Sequence, residues 1–262
     1  MPRIGMHTVF VARENIFFLR EWLEYHARLG VSDFFLYDNS RSSGRNGSTP
    51  ITNKYGFEFA ALTRGYSNDA VAEEIDRIVA GVDARCELIP WSPMDDNGRV
   101  VYGQIESVID CMDRARGCDW IGFFDIDEFV FSPSGEHLKT LLSEANNYDG
   151  VSLLQKKFED RFLNIGKPVA EITRCIEGLD TSRWAPKMFL KKDALDKETA
   201  QNIHRLPVHG ETFTFDPERL RFNHYNVNRT MLAWARDFYN DSSLDLNADD
   251  DSLCRSGIGG MG

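Results

Sequence analysis

The stretch Trp120-Ile121-Gly122-Phe123-Phe124-Asp125-Ile126-Asp127-Glu128-Phe129-Val130-Phe131 decides how this chain folds. Apolar or small residues lead into three carboxylates and more apolar residues follow, so the run reads as one buried strand presenting charge at its C-terminal end. Open α/β sheets bind ligands at the carboxyl ends of their strands, which gives such charge a use. In an extended chain residues two apart share a side, so Asp125 and Asp127 are expected to converge on one ion while Glu128 faces elsewhere. Oxygen ligands of this kind suit Mg²⁺ or Mn²⁺, and such an ion reserves coordination positions for a substrate's phosphates. The alternative is that the aspartates only end a strand, as acidic residues in turns often do.

Upstream, residues 3–12 carry Ile4, Met6, Val9, Phe10 and Val11 and predict a first buried strand. Residues 15–29 repeat Phe18, Trp22, Tyr25, His26 and Leu29 at helical spacing with Gly30 as a C-cap, and residues 31–37 predict a second strand stopping at Asp38-Asn39-Ser40. Strand, helix, strand opens a parallel α/β sheet. Trp22, Tyr25 and His26 share the apolar face of the helix and read as core rather than as ligands. Residues 41–50 are rich in Ser, Gly and Asn and predict a surface loop, residues 58–62 a short strand, and residues 69–80 a helix capped by Asn68 or Asp69. A strand over 86–90 and an amphipathic helix over 100–116 then deliver the chain to Asp125.

Downstream, a helix is expected over 136–146, strands over 150–154, 187–190 and 220–225, and a last helix over 230–239; beyond Lys156 the periodicity weakens. From Asn240 the chain turns acidic and then Gly-rich, which predicts one domain over residues 1–239 and a disordered tail over 240–262.

A formal charge of −11, with no Lys/Arg cluster long enough to make a basic stripe, excludes a nucleic-acid partner. The five cysteines are odd in number and lack zinc-type pair spacing, which points to reduced thiols and a cytoplasmic protein. The first residues have no apolar leader and no run reaches about 18 apolar residues, so peripheral contact is the one membrane association expected.

Several pieces together resemble a known family. Ala12-Arg13-Glu14, Leu19-Arg20-Glu21-Trp22-Leu23-Glu24-Tyr25-His26, Leu29-Gly30-Val31 and Phe35-Leu36-Tyr37-Asp38-Asn39-Ser40 look like the N-terminal signature of glycosyltransferase family 92 and related family 2-like enzymes. Gln104, Asp119-Trp120-Ile121 and Phe124-Asp125-Ile126-Asp127-Glu128-Phe129 continue the pattern in the same order, over about residues 3–131, and His224-Tyr225 matches more weakly. The resemblance implies a GT-A fold, an α/β domain with a mostly parallel central sheet flanked by helices. It also implies a nucleotide-sugar donor and a Mn²⁺ or Mg²⁺ ion bridging the diphosphate to Asp125 and Asp127, around Ile126. By the same analogy Asp38 contacts the base or ribose, Ala12 and Arg13 line the nucleotide pocket, and His224 completes the metal shell, with His204 second. The chain departs from the family at Arg13, where Asn is common, and lacks a Trp-x-x-Phe-Gly acceptor-side motif, offering Gln155-Lys156-Lys157-Phe158-Glu159-Asp160 instead.

Gln104 either satisfies a buried backbone group or joins the donor site. Lys187 either neutralises a diphosphate or is an exposed lysine beside Lys191 and Lys192. His209, beside Gly210, reads as a loop residue. An inverting transferase needs a carboxylate to deprotonate the acceptor hydroxyl. The resemblance places that base after the strand following the Asp-x-Asp stretch, at Asp160 with Glu159 in reserve, or else the charges of residues 156–161 are only a solvated cluster. The reading is a metal-dependent, inverting glycosyltransferase acting on a glycan or glycolipid acceptor. Its rivals are a non-catalytic GT-A module that binds nucleotide or glycan and a haloacid-dehalogenase-type phosphatase; the latter normally carries its Asp-x-Asp on the first strand.

Overall fold

The computed structural model describes residues 1–41, 65–177 and 185–256. The strand expected over 58–62 and all but Arg41 of the loop expected over 41–50 lie outside the described residues. In chain order the elements are β1 (Ile4–Phe10), α1 (Ala12–Asn15), α2 (Leu19–Leu29), β2 (Asp33–Asp38), α3 (Asn68–Ala80), β3 (Arg85–Pro90), α4 (Gln104–Arg114), β4 (Trp120–Phe123) and β5 (Glu128–Phe131). There follow α5 (Leu138–Glu144), β6 (Gly150–Leu153), β7 (Gln155–Glu159), β8 (Arg174–Cys175), β9 (Lys187–Lys191), β10 (Thr212–Thr214), β11 (Arg221–Val227), α6 (Arg229–Tyr239), β12 (Ala248–Asp249) and α7 (Ser252–Arg255).

A seven-stranded sheet runs β10-β6-β9-β4-β1-β2-β3. β3, β2, β1 and β4 are mutually parallel, and β9 is inserted antiparallel between β4 and β6. With helices packed on it, this mostly parallel sheet is the GT-A outline that the resemblance implies. Every residue of β1 is buried, as a central parallel strand covered on both faces requires. The parallel set brings the C-terminal ends of β1, β2 and β4 to one edge, where Ala12, Asp38 and Asp125 follow.

The expected strand over residues 120–131 is two strands in two sheets. β4 ends at Phe123, and β5 joins a second sheet of order β12-β8-β7-β11-β5. Apolar residues on both sides of the carboxylates gave the period of one strand, but the chain turns at Asp125, closed by the Glu128 amide donating to the Asp125 carbonyl at 3.0 Å. The capping residue of α3 is Ser67, whose hydroxyl accepts from Ala70 N, one residue before the cap expected. Residues 240–256 pack into the fold instead of forming a free tail. β12 pairs with β8, Leu253 is buried, and Asp250 binds both Lys156 and Arg221. Two-residue strands and long-range ion pairs leave no periodic trace in sequence, which hid this segment.

Candidate functional site

Two clefts flank the β1–α1 junction on the C-terminal edge of the sheet. The first, about 270 Å³, is lined by Val11, Ala12, Arg13, Asp38, Ser40 and Asn68 among others. Ser40 ties β1 to β2 there: its hydroxyl accepts from Ala12 N at 2.9 Å and donates to the Asp38 carboxylate. Arg13 reaches across to α3, donating to Asn68 Oδ1 at 2.6 Å and to the Tyr66 carbonyl at 3.0 Å. Ala12, Arg13 and Asp38, expected at a nucleotide pocket, thus share one cleft.

The second cleft, about 300 Å³, is lined by Asp125, Ile126, Asp127, Glu128, Arg161, His204 and His224, with Val9, Glu14, Asn15, Tyr102 and Asn226. β5 pairs antiparallel with β11 in a register that sets His224 opposite Glu128. That pairing brings a histidine from nearly 100 residues downstream to the acidic turn. Both late histidines singled out in the sequence reach this cleft, and His209 lies elsewhere, lining a separate surface cleft with Asp193 and Asp196.

The carboxylates do not all stand as the alternation suggested. Glu128 is buried and folds back into the turn, where Oε2 accepts from Asp125 N at 2.8 Å. Lys187 is not an exposed lysine: it is 1 % exposed on β9, with Nζ 2.7 Å from Asp125 Oδ2 and 3.0 Å from Glu128 Oε2. Burial pushes the Glu128 carboxyl up to about 8, with Asp125 and Asp127 adding to the rise and Lys187 opposing it. Gln104, at the start of α4, points its amide nitrogen at Asp125 Oδ1 from 3.5 Å, and so belongs to the acidic turn. Its approach depends on Gly103, in the left-handed region at φ 57°, where a Cβ would fall 2.2 Å from Pro93 Cγ.

Asp127 faces His224, with Oδ2 3.3 Å from Nε2. Burial opposes ionisation of Asp127, but the His224 ring in its protonated form, with Arg161 and Lys187, lowers it to about 2. Burial and the nearby Lys157 cation push the His224 ring down to about 4, so at neutral pH it is uncharged. Gln155 fixes its tautomer. The Gln155 amide nitrogen donates to the Ala185 carbonyl at 2.6 Å, which leaves Oε1 as the atom 2.9 Å from His224 Nδ1. Nδ1 therefore carries the proton, and the Nε2 lone pair faces the Asp127 carboxylate.

As these side chains stand, no three His, Cys, Asp or Glu among the described residues are gathered closely enough to hold an ion. The chemistry of the Asp127–His224 pair nevertheless fits a cation: an imidazole lone pair and a carboxylate face each other with no proton between them. Asp125 fits less directly, because one oxygen is taken by Lys187.

Asp160 and Glu159 are not brought to this cleft. Asp160 is 3 % exposed and caps the turn Arg161–Asn164, its Oδ1 accepting from Phe162 N at 2.8 Å and its Oδ2 from Asn228 Nδ2 at 2.8 Å. Glu159 pairs with Arg174 at 3.3 Å and accepts from Asn164. Glu14, which the sequence offered only as part of a motif, does line the cleft. No side-chain partner holds its carboxyl among the described residues, and burial pushes it up to about 7. Arg161, and Gln155 as a cleft residue, are the others that the sequence did not single out; both lie at the edge of the region where periodicity fades.

A family model described as glycosyltransferase family 92 matches residues 83–252. The chain belongs to glycosyltransferase family 92. Its match to a family 92 protein of Arabidopsis thaliana is 29% identical over 144 residues, covering 51% of this chain and 19% of that protein. A family 92 protein of Ricinus communis is 28% identical over 132 residues, covering 50% of this chain and 18% of the relative. The chain thus spans less than a fifth of the length of these plant relatives. Among solved structures, UDP-glucose pyrophosphorylase complexed with UDP-glucose is similar with a TM-score of 0.38 and 12% identity, over 92% of this chain and 99% of that one. Glucosyl-3-phosphoglycerate synthase of M. tuberculosis is similar with a TM-score of 0.39 and 11% identity, over 93% and 82% respectively. These structural likenesses are in outline only.

Proposed function

We propose that this family 92 chain is a divalent-metal-dependent glycosyltransferase that moves a sugar, with inversion, from a nucleotide-sugar donor to a glycan or glycolipid acceptor in the cytoplasm. The observation that carries the metal is the neutral His224, whose Nε2 lone pair is turned to Asp127 by the Gln155–Ala185 relay. Asp127 and His224, with Asp125 once its bond to Lys187 yields, would hold Mn²⁺ or Mg²⁺. The ion would neutralise charge developing on the leaving diphosphate. The nucleotide is assigned to the cleft of Ala12, Arg13 and Asp38, which adjoins the acidic cleft across Glu14.

Inversion in one displacement requires a carboxylate to take the acceptor's proton as its oxygen attacks the anomeric carbon. Glu14 is assigned that role in place of Asp160, because Glu14 lines the acidic cleft and its carboxyl is not tied to a side chain among the described residues. Five free cysteines support the compartment, and among the described residues no helix is long and apolar enough to cross a membrane.

Calorimetric titration of UDP, GDP, CDP and dTDP, with and without Mn²⁺, into wild type and an Asp125→Ala/Asp127→Ala variant tests the donor site. One nucleotide whose binding needs both the metal and the aspartates is the expected result. Absence of metal-dependent nucleotide binding by the folded wild type would overturn the donor-site reading. Binding without transfer to any acceptor would leave a non-catalytic module.

A further inference from the structure

Among the described residues β5 pairs with β11 along one edge, and its other edge meets α2. Side chains stand there in place of a neighbouring strand. Trp22 Nε1 donates to the Glu128 carbonyl at 2.9 Å, and Tyr25 Oη donates to the Val130 carbonyl at 2.7 Å. His26 Nε2 accepts from Val130 N at 3.2 Å. Because that amide can only donate, the His26 proton sits on Nδ1, which donates to the Trp22 carbonyl at 2.9 Å. One step upstream the row continues with a different residue: Arg161 Nη1 donates to the Ile126 carbonyl at 2.5 Å. The carbonyls of Ile126, Glu128 and Val130 recur at the period of a strand edge, and each receives a side-chain donor.

The rung at Ile126 lies between the two aspartates. Arg161 is 2 % exposed, with its guanidinium 4.1 Å from the centre of the Phe18 ring. Its Nη2 is 3.1 Å from Glu21 Oε2, and Glu21 is itself fixed by Val169 N donating to Oε1 at 2.7 Å. Among the described residues Arg161 Nε makes no hydrogen bond, so Glu21 and the Ile126 carbonyl set the direction of the guanidinium. From the other side, Tyr225 N donates to the Asp127 carbonyl at 2.9 Å. The backbone of the turn is therefore gripped on both flanks, at the Ile126 carbonyl by Arg161 and at the Asp127 carbonyl by Tyr225.

We propose that Arg161, aimed by Glu21, is a positioning residue of the acidic turn: by holding the Ile126 carbonyl it sets the directions in which Asp125 and Asp127 point, whereas Tyr25 and His26 secure only the strand beyond. This rests on the donor-site reading above, because orientation of those carboxylates matters to a ligand only if they bind one. Groups that orient metal-binding side chains typically change metal affinity by roughly 10–100-fold when removed.

The test compares Arg161→Met, Glu21→Gln and Tyr25→Phe with wild type in three measurements. These are thermal melting, calorimetry with Mn²⁺ and the nucleotide diphosphate that wild type binds, and hydrogen exchange of residues 124–128 without ligand. The expected result is a loss of roughly tenfold or more in metal-dependent affinity for Arg161→Met, a smaller loss for Glu21→Gln, and wild-type affinity for Tyr25→Phe. Exchange over 124–128 should quicken in the first two only. Wild-type affinity in Arg161→Met, or affinity losses that follow the melting temperature equally across all variants, would overturn the proposal. If Arg161→Met does not fold, Glu21→Gln decides in the same way. If wild type binds no nucleotide, the donor-site reading fails on its own, and exchange decides here: quickening confined to the Arg161 and Glu21 variants supports positioning of the turn, and equal exchange overturns it.

Discussion

Lys187 places its ammonium nitrogen 2.7 Å from one oxygen of Asp125 and 3.0 Å from Glu128, and both Lys187 and Glu128 are 1 % exposed. A buried charge is tolerated only with a partner at hand, and here one cation serves two carboxylates. Replacing it by Met strips Asp125 of its cation and drives Glu128, already raised to about 8, further toward the neutral acid. The expected cost is about 1–3 kcal/mol of folding stability, read as a fall in the urea midpoint. A Lys187→Met protein as stable as wild type would mean that Glu128 does not depend on this cation.

Those contacts also mark the limit of what the sequence made legible. β1, α2, β2 and β4 announce themselves because burial imposes a period on them, and the Asp125 turn was legible as charge inside an apolar run. Residues 155–161 were not, because β7 buries the polar Gln155 and Lys157 beside Phe158, and Gln155, Asp160 and Arg161 are buried through hydrogen bonds instead of hydrophobicity. A pattern of apolar residues cannot reveal a polar group that is buried by being satisfied. Asp160 illustrates the error this causes. As a charge after a strand it resembles a base, while its environment is that of a cap.

Among the described residues Gln155 meets the cleft through His224. Gln155→Ala removes the acceptor that keeps the proton on Nδ1 and frees the ring to place it on Nε2, toward Asp127. Mn²⁺ affinity is expected to fall by roughly 10–100-fold, with the fold intact by circular dichroism. Unchanged Mn²⁺ affinity would show that the relay through Ala185 does not prepare Nε2 for a metal.

His26 gives the fold an acid limit. Burial holds its ring down to about 3, below the usual 6.5, and Val130 N occupies the nitrogen that protonation would need. Between those values the unfolded chain binds the proton and the folded chain does not. Stability from this group is therefore complete above about pH 6.5 and is lost as pH falls toward 3. The slope approaches about 1.4 kcal/mol per pH unit for one proton. His7, also held at about 3 by burial, adds a second proton of the same sign. His26→Gln should show a shallower dependence of unfolding free energy on pH between about 4.5 and 6.5. Equal slopes in wild type and variant would mean that the ring is already charged in the folded state.

Glu14 and Asp160 make opposite demands on an activity assay. If Glu14 takes the acceptor's proton, Glu14→Gln should lower kcat by roughly 10²–10⁴-fold while metal-dependent nucleotide binding stays as in wild type. Nucleotide affinity lost in step with turnover would reassign Glu14 to the donor, as a carboxylate accepting from ribose hydroxyls. Asp160→Ala removes a cap and leaves Phe162 N and Asn228 Nδ2 without their acceptor. It should cost about 1–3 kcal/mol of stability. At temperatures where the variant is folded, its pH–rate profile should match that of wild type. A folded Asp160→Ala protein that binds nucleotide but transfers no sugar would return the base to Asp160, and would require the turn Arg161–Asn164 to open during turnover, since both carboxylate oxygens are engaged in the structure described.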